Sequence, residues 1–92
     1  MDTTTALIKF LNARLVEAEE NLIAARDAMD PTFPPEVFES WDWVRRARAE
    51  INSKNTLVGI SEMVGGVYGD ALLLGLALAF NDHPDYRDEW KP

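Results

Sequence analysis

The chain contains no cysteine and a single histidine, His83. Without cysteine there is no disulfide framework, no thiol nucleophile and no thiolate metal site. Nothing in the composition marks an oxidising compartment, so a cytoplasmic address is the expectation. One histidine also rules out the paired Glu-x-x-His motifs that a di-iron bundle places on facing helices. Positive charge is scarce: nine Lys and Arg stand against sixteen Asp and Glu, a formal charge of −7. Nucleic-acid affinity comes largely from cations that neutralise phosphates, so the expected partners exclude DNA and RNA. The opening Met1-Asp2-Thr3-Thr4-Thr5 places no basic segment ahead of an apolar run and does not read as a secretory signal. No Gly-x-Ser-x-Gly, zinc-helix or EF-hand pattern occurs, and Gly65-Gly66-Val67-Tyr68-Gly69 lacks the lysine and preceding strand of a P-loop. The residues thus nominate no catalytic, cofactor-binding or metal-binding group and no small-molecule substrate, and the reading is of a protein that is not an enzyme.

What is present is a helical pattern. Ninety-two residues, 47% of them hydrophobic, suffice for one domain spanning residues 1–92 with a modest core. Leu7, Leu11, Leu15, Ala18, Leu22, Ala25 and Met29 recur at steps of three and four, which lays an apolar stripe along one helix over residues 3–29. Ile8, Val16 and Ile23 fall beside that stripe and widen it. Asp2, Thr3 or Thr4 can cap the first turn, whereas Asp27 and Asp30 oppose the macrodipole at the far end. Asp30-Pro31-Thr32-Phe33-Pro34-Pro35 interrupts any helix. Pro35 then suits a first turn, and Val37, Trp41, Val44, Ala47, Ile51 and Val58 keep helical spacing over residues 35–63. Asn52-Ser53-Lys54-Asn55 and Gly59 are poor helix interior, so a kink or an early end of the helix near Asn55 is expected. Gly65 to Gly69 reads as the next loop, and Asp70 as the cap of a short helix, residues 71–80, that is apolar all round. Residues 57–80 contain only Glu62 and Asp70 as charges, but two acids and the glycines weigh against a membrane span.

Three groups stand out as candidate contacts. Trp41 and Trp43, two apart, face different directions on a helix; Trp43 lies off the stripe and is the better candidate for an exposed anchor. Arg45, Arg46 and Arg48 form the only basic cluster, with Asp42 and Glu50 at helical spacing to answer part of it. Glu17, Glu19 and Glu20 make a solvated acidic stretch on the first helix. In the tail, Pro84 and Asp85 suit the start of a one- to two-turn helix on which Tyr86 and Trp90 share a face and dock on the bundle. His83, beside Asp82, Asp85, Asp88 and Glu89, reads as part of a turn, since neighbours on one short segment do not converge on an ion.

The segments 6–17 and 49–58, the leucine-rich run, and the closing Asp82-His83-Pro84-Asp85-Tyr86-Arg87-Asp88-Glu89-Trp90-Lys91-Pro92 together resemble a family of short uncharacterised proteins of actinobacteria and their phages. That family is a domain of unknown function, so the resemblance implies phage or prophage origin but no activity. Its longer members carry cysteines before the leucine-rich run, where this chain has Gly65 to Gly69.

The expected fold is all-α: a small helical bundle of two long antiparallel helices, a short buried apolar helix and an aromatic C-terminal tail. The expected function is a helical interaction protein that binds a host protein or itself through Trp43, Arg45, Arg46 and Arg48, with a homodimer and a monomeric three-helix bundle both compatible with the pattern. The alternative is a membrane-associated accessory protein that uses residues 57–80.

Overall fold

The computed structural model describes residues 3–29 and 32–92. It contains α1 (Thr3–Asp27), α2 (Pro35–Ser40), α3 (Asp42–Val64), α4 (Gly66–Leu78) and a single 3-10 turn at Asp88–Trp90, with no strand among the described residues. The all-α bundle is therefore as the sequence pattern implies. Asp2 and Asp30, considered above for the ends of the first helix, lie outside the described residues.

α1 ends at Asp27, with Arg26 in the last turn, where a cation favours the helix dipole; Arg26 Nε lies 3.7 Å from Asp27 Oδ1. Its stripe is buried as the spacing requires: Leu7, Leu11, Leu15 and Leu22 are core residues. Ile8 packs against that core, but Val16 and Ile23 are exposed, so the widened face holds only over the first turns.

The second expected helix is broken at a different place. Residues 35–63 do not kink at Asn55 or Gly59; α3 runs continuously through both. The break falls at Trp41, whose backbone is extended (φ −70°, ψ 138°) between α2 and α3. α2 begins with Pro35 in its first turn and turns Phe38 inward to 1% exposure, plugging the end of the α1–α3 pair beside Leu22, Val44 and Ile51. One continuous helix would carry Phe38 away from that seam. Asn55 and Gly59 are tolerated because both are exposed, while Ile51 and Val58 anchor the same helix to the core.

The glycine loop shrinks to one residue. Gly65 (φ 65°, ψ −175°) ends α3 and starts α4: its N–H donates to the Ser61 carbonyl at 2.9 Å, and its carbonyl accepts from Gly69 N–H at 2.9 Å. A left-handed backbone of this kind favours glycine. Asp70 does not cap α4; it lies inside the helix and accepts the Thr4 Oγ1 hydrogen bond at 2.5 Å.

Cross-helix contacts set the directions. Ser61 meets Gly69 and Lys54 lies over the Phe80 ring, so α3 and α4 are antiparallel. Thr4 meets Asp70 and Phe10 meets Phe80, so α4 runs parallel to α1. The core divides accordingly. The N-terminal half of α1, the C-terminal half of α3, α4 and the tail enclose Leu7, Leu11, Val58, Leu73 and Ala77. The other half of α1, α2 and the start of α3 enclose only Leu22, Phe38, Val44 and Ile51.

Candidate functional site

α1 and α3 have 25 and 23 residues, about 37 and 35 Å, whereas α4 has 13, about 20 Å. α4 therefore covers only one half of the α1–α3 pair. Beyond it, between the two long helices, lies a cleft of about 310 Å³. Leu15, Ala18, Leu22 and Ala25 line it from α1; Trp43, Ala47 and Ile51 line it from α3; Phe80 closes the end where α4 stops. Asn21, Glu50 and Lys54 supply its polar lining, and the Lys54 ammonium sits 5.0 Å from the Phe80 ring centroid. The small side chains of Ala18, Ala25 and Ala47 leave room for close approach of another helix, since interaxial distance follows the side chains at the contact.

Trp43 borders this cleft with 50% of its surface exposed. Trp41 is also exposed, because the extended residue at the helix break no longer follows the stripe of Val37 and Val44. Phe38, Trp41 and Trp43 nevertheless form one aromatic group, with centroids 5.7 to 6.4 Å apart. The arginines separate into two kinds. Arg48 grips Glu39 of α2 with both arms of its fork, Nε to Oε2 at 2.6 Å and Nη2 to Oε1 at 2.5 Å. That hydrogen bonding holds the Glu39 carboxyl below the usual carboxylate range and raises Arg48 above the usual arginine value. Arg45 and Arg46 are exposed, and among the described residues neither forms an ion pair, with Asp42, Glu50 or any other acid. Spacing brings Asp42 within reach, but an exposed pair gains too little to fix two long side chains.

At the opposite side, Tyr86 and Trp90 are buried against Phe10, with centroids 6.1 and 5.1 Å from its ring. They meet each other at 5.5 Å, and Tyr86 Oη donates to the Trp90 carbonyl at 3.1 Å. The expected tail helix does not form. A turn carries Tyr86 inward and Asp88–Trp90 adds a single 3-10 turn, which satisfies the same two rings.

The spacing argument overlooked Arg14. It is 7% exposed, with Nη2 3.0 Å from Glu17 Oε1 and Nη1 3.4 Å from Asp85 Oδ2, and the guanidinium carbon 5.2 Å from the Phe10 ring centroid. Its Nη1 also contacts both ring nitrogens of His83, with Nδ1 at 2.6 Å. His83 Nδ1 accepts the Asp85 N–H at 3.0 Å, so the histidine closes the turn and ties it to α1 at once. The signal was in the sequence: Arg14 lies seven residues from Leu7 and three from Leu11, on the apolar side of α1. Among the described residues no group of three His, Asp or Glu side chains is arranged to hold a metal ion.

The chain belongs to a family of unknown function (DUF6221), which matches residues 4–92. No curated protein and no solved structure matches it.

Proposed function

We propose that this member of the DUF6221 family acts by binding a protein, and not by catalysis. The observation that carries the reading is the open apolar cleft between α1 and α3 with a half-exposed tryptophan at its edge; on another face of α3, beside Asp42 and Ala49, stand Arg45 and Arg46, which form no ion pair among the described residues. Cores of contact surfaces favour an aromatic anchor over small apolar groups, and arginine is enriched in such surfaces. Trp43, Arg45 and Arg46 are the proposed contact residues. Arg48 is committed to Glu39 and is assigned the support of that face instead of contact with a partner. The partner is a host protein or a second copy of the chain, and the excess of acidic residues speaks against nucleic acid. A cytoplasmic site of action and phage or prophage origin complete the proposal; the first draws on the absence of cysteine, the second on the resemblance of the helices and tail.

The test is affinity capture from an actinobacterial lysate with the tagged chain, beside a Trp43→Ala, Arg46→Ala variant. A protein retained by the native chain and lost by the variant supports the reading. Capture by both to the same extent overturns this assignment of the surface.

A second reading rests on Met63, Val67 and Tyr68, which are 80 to 87% exposed around the α3–α4 turn and suit a peripheral membrane contact. Among the described residues no helix is long and apolar enough to cross a membrane, and residues 57–80 bend back on themselves at Gly65. Recovery of all the protein without detergent, in the soluble fraction of cells that make it, would exclude that reading.

A further inference from the structure

We propose that the pocket between the start of α1 and the C-terminal tail binds a small organic carboxylate, held by Arg14 Nε, Trp90 Nε1 and the ammonium of Lys9. This pocket shares no lining residue with the cleft between α1 and α3, so it stands or falls apart from the protein-binding reading.

The first observation is a pair of donors without acceptors. Buried polar groups in folded proteins are nearly always hydrogen-bonded, so each exception asks for a cause. Among the described residues, two buried side-chain polar atoms have no partner, Arg14 Nε and Trp90 Nε1. Their residues are 7% and 4% exposed. The protein groups around Arg14 use its other two nitrogens: Glu17 takes Nη2, while His83 and Asp85 meet Nη1. The second oxygen of Glu17 lies 3.7 Å from His83 Nε2, on the side of the histidine. An indole N–H donates only, so Trp90 needs an acceptor brought to it. Arg14 and Trp90 come from opposite ends of the chain, yet both line one pocket of about 230 Å³.

The second observation is the chemistry of that lining. Ala6, Phe10 and Ala13 follow at steps of four and three along α1 and give the pocket an apolar floor. Lys9 and Arg14 stand beside them, and the tail supplies the other wall through Trp90, Arg87 and Asp85. Glu17 and Asp85 answer Arg14, and Glu89 Oε1 lies 3.4 Å from Arg87 Nη1. Lys9 is exposed and forms no ion pair among the described residues. One unanswered cation suits a monoanion, and the Asp85 carboxylate at the rim disfavours a dianion such as phosphate.

A carboxylate brings two oxygens, one for each orphan donor, in charge-assisted bonds of the stronger kind. The floor then takes the apolar body that carries it. That body is small, because the volume lies below the roughly 300–1,000 Å³ of drug-sized ligand sites. Arg87 covers the Trp90 ring, with its guanidinium carbon 5.5 Å from the centroid; being half-exposed, it is free to move aside for an entering acid and close over it.

Free organic acids and the C-terminus of a peptide share this chemistry, and the test separates them. Proton–nitrogen correlation spectra of the full chain resolve indole Nε1–H and arginine Nε–H. The probes are benzoate, hexanoate, benzamide, inorganic phosphate, and trialanine with a free or an amidated C-terminus. Each is added to about 20 mM, well above a millimolar dissociation constant. Expected is a saturable joint shift of the Trp90 indole and Arg14 Nε peaks with benzoate or hexanoate, while the Trp41 and Trp43 indole peaks stay in place. Benzamide and phosphate should bind about tenfold more weakly or worse. A response to free-ended trialanine alone also supports the site and assigns it to a peptide C-terminus. Trp90→Phe should raise Kd about tenfold, as loss of one hydrogen bond to a charged group does. Lys9→Glu should do the same by turning the unanswered cation into a like charge. If Trp90→Phe unfolds, Lys9→Glu at its exposed position decides.

No joint shift with any carboxylate overturns the proposal, and so does benzamide or phosphate binding as well as the acids. An affinity indifferent to Lys9→Glu overturns it too. Transfer from both N–H protons to an internal water, with no probe bound, assigns the two donors to that water and overturns the site.

Discussion

Gly69 is the point where α3 and α4 touch backbone to backbone, and replacing it with alanine tests that contact. A Cβ built there would lie 2.5 Å from the Ser61 carbonyl oxygen and 3.5 Å from its carbon. Ser61 is itself buried, and its Oγ donates to the Val58 carbonyl at 2.7 Å. Neither side of the contact is a flexible side chain, so the helices must separate by most of an ångström. Overpacking of that kind costs about 1–3 kcal/mol. The same change in a helix interior gains about 1 kcal/mol from alanine's propensity. Gly59 and Gly75 isolate the two effects, because a Cβ at either meets nothing within 4 Å. Gly59→Ala and Gly75→Ala should each stabilise the fold by about 1 kcal/mol. Gly69→Ala should lose the packing term while gaining the same propensity term, ending near neutral to about 2 kcal/mol destabilised. The propensity term cancels between the variants, so the gap between Gly69→Ala and Gly59→Ala is the packing cost alone. Thermal and urea unfolding, monitored by circular dichroism at one protein concentration, read it as a difference of at least about 4 °C. Three variants that melt together would refute the close approach of α3 and α4.

Other perturbations separate the remaining contacts. Arg14→Ala should cost about 1–3 kcal/mol by urea unfolding, because it removes hydrogen bonds to Glu17 and Asp85 and the stacking on Phe10; it should also speed proteolysis of the tail, and an unchanged cleavage rate would show that the tail is held by its rings alone. Trp90→Ala should cost about 3–5 kcal/mol, as loss of a buried aromatic does, with helicity falling first near α1 and α4. The Glu39–Arg48 pair supplies an acid-sensitive clamp between α2 and α3. The folded carboxyl is held below its usual range, so its contribution is complete at neutral pH and fades as pH falls through that lowered value. Glu39→Gln should lower the urea midpoint at neutral pH and converge on the native chain in acid; a difference that persists in acid would assign the clamp to something other than charge.

Much of the fold was legible along the chain because helices are local. The recurrence of Leu7, Leu11, Leu15 and Leu22 decides which side of α1 is buried whatever packs on it. Pro35 dictates where a helix can start, and Gly65 where one can stop. Asn55 and Gly59 misled, because weak helix formers at exposed positions cost only about 1 kcal/mol or less, which the burial of Ile51 and Val58 outweighs. Trp41 gave no warning of the break it carries, since tryptophan is not a helix breaker; the turn there is set by where Phe38 must go to plug the end of the α1–α3 seam.

The candidate site was legible only in part. Trp43 off the stripe announced an exposed ring, whereas Arg14, buried on the apolar side of α1, was overlooked, and spacing alone could not have named its partners. Those partners, Asp85 and His83, come from about seventy positions away and meet Arg14 only once the tail folds back. The same limit applies to the cleft. Periodicity determined by itself that the chain is helical and which stripes are apolar, because side-chain direction repeats within each helix. Tertiary structure alone decided that an apolar cleft stays open, because the opening is the difference in length between α4 and the two helices it packs on, and that difference has meaning only when all three lie side by side.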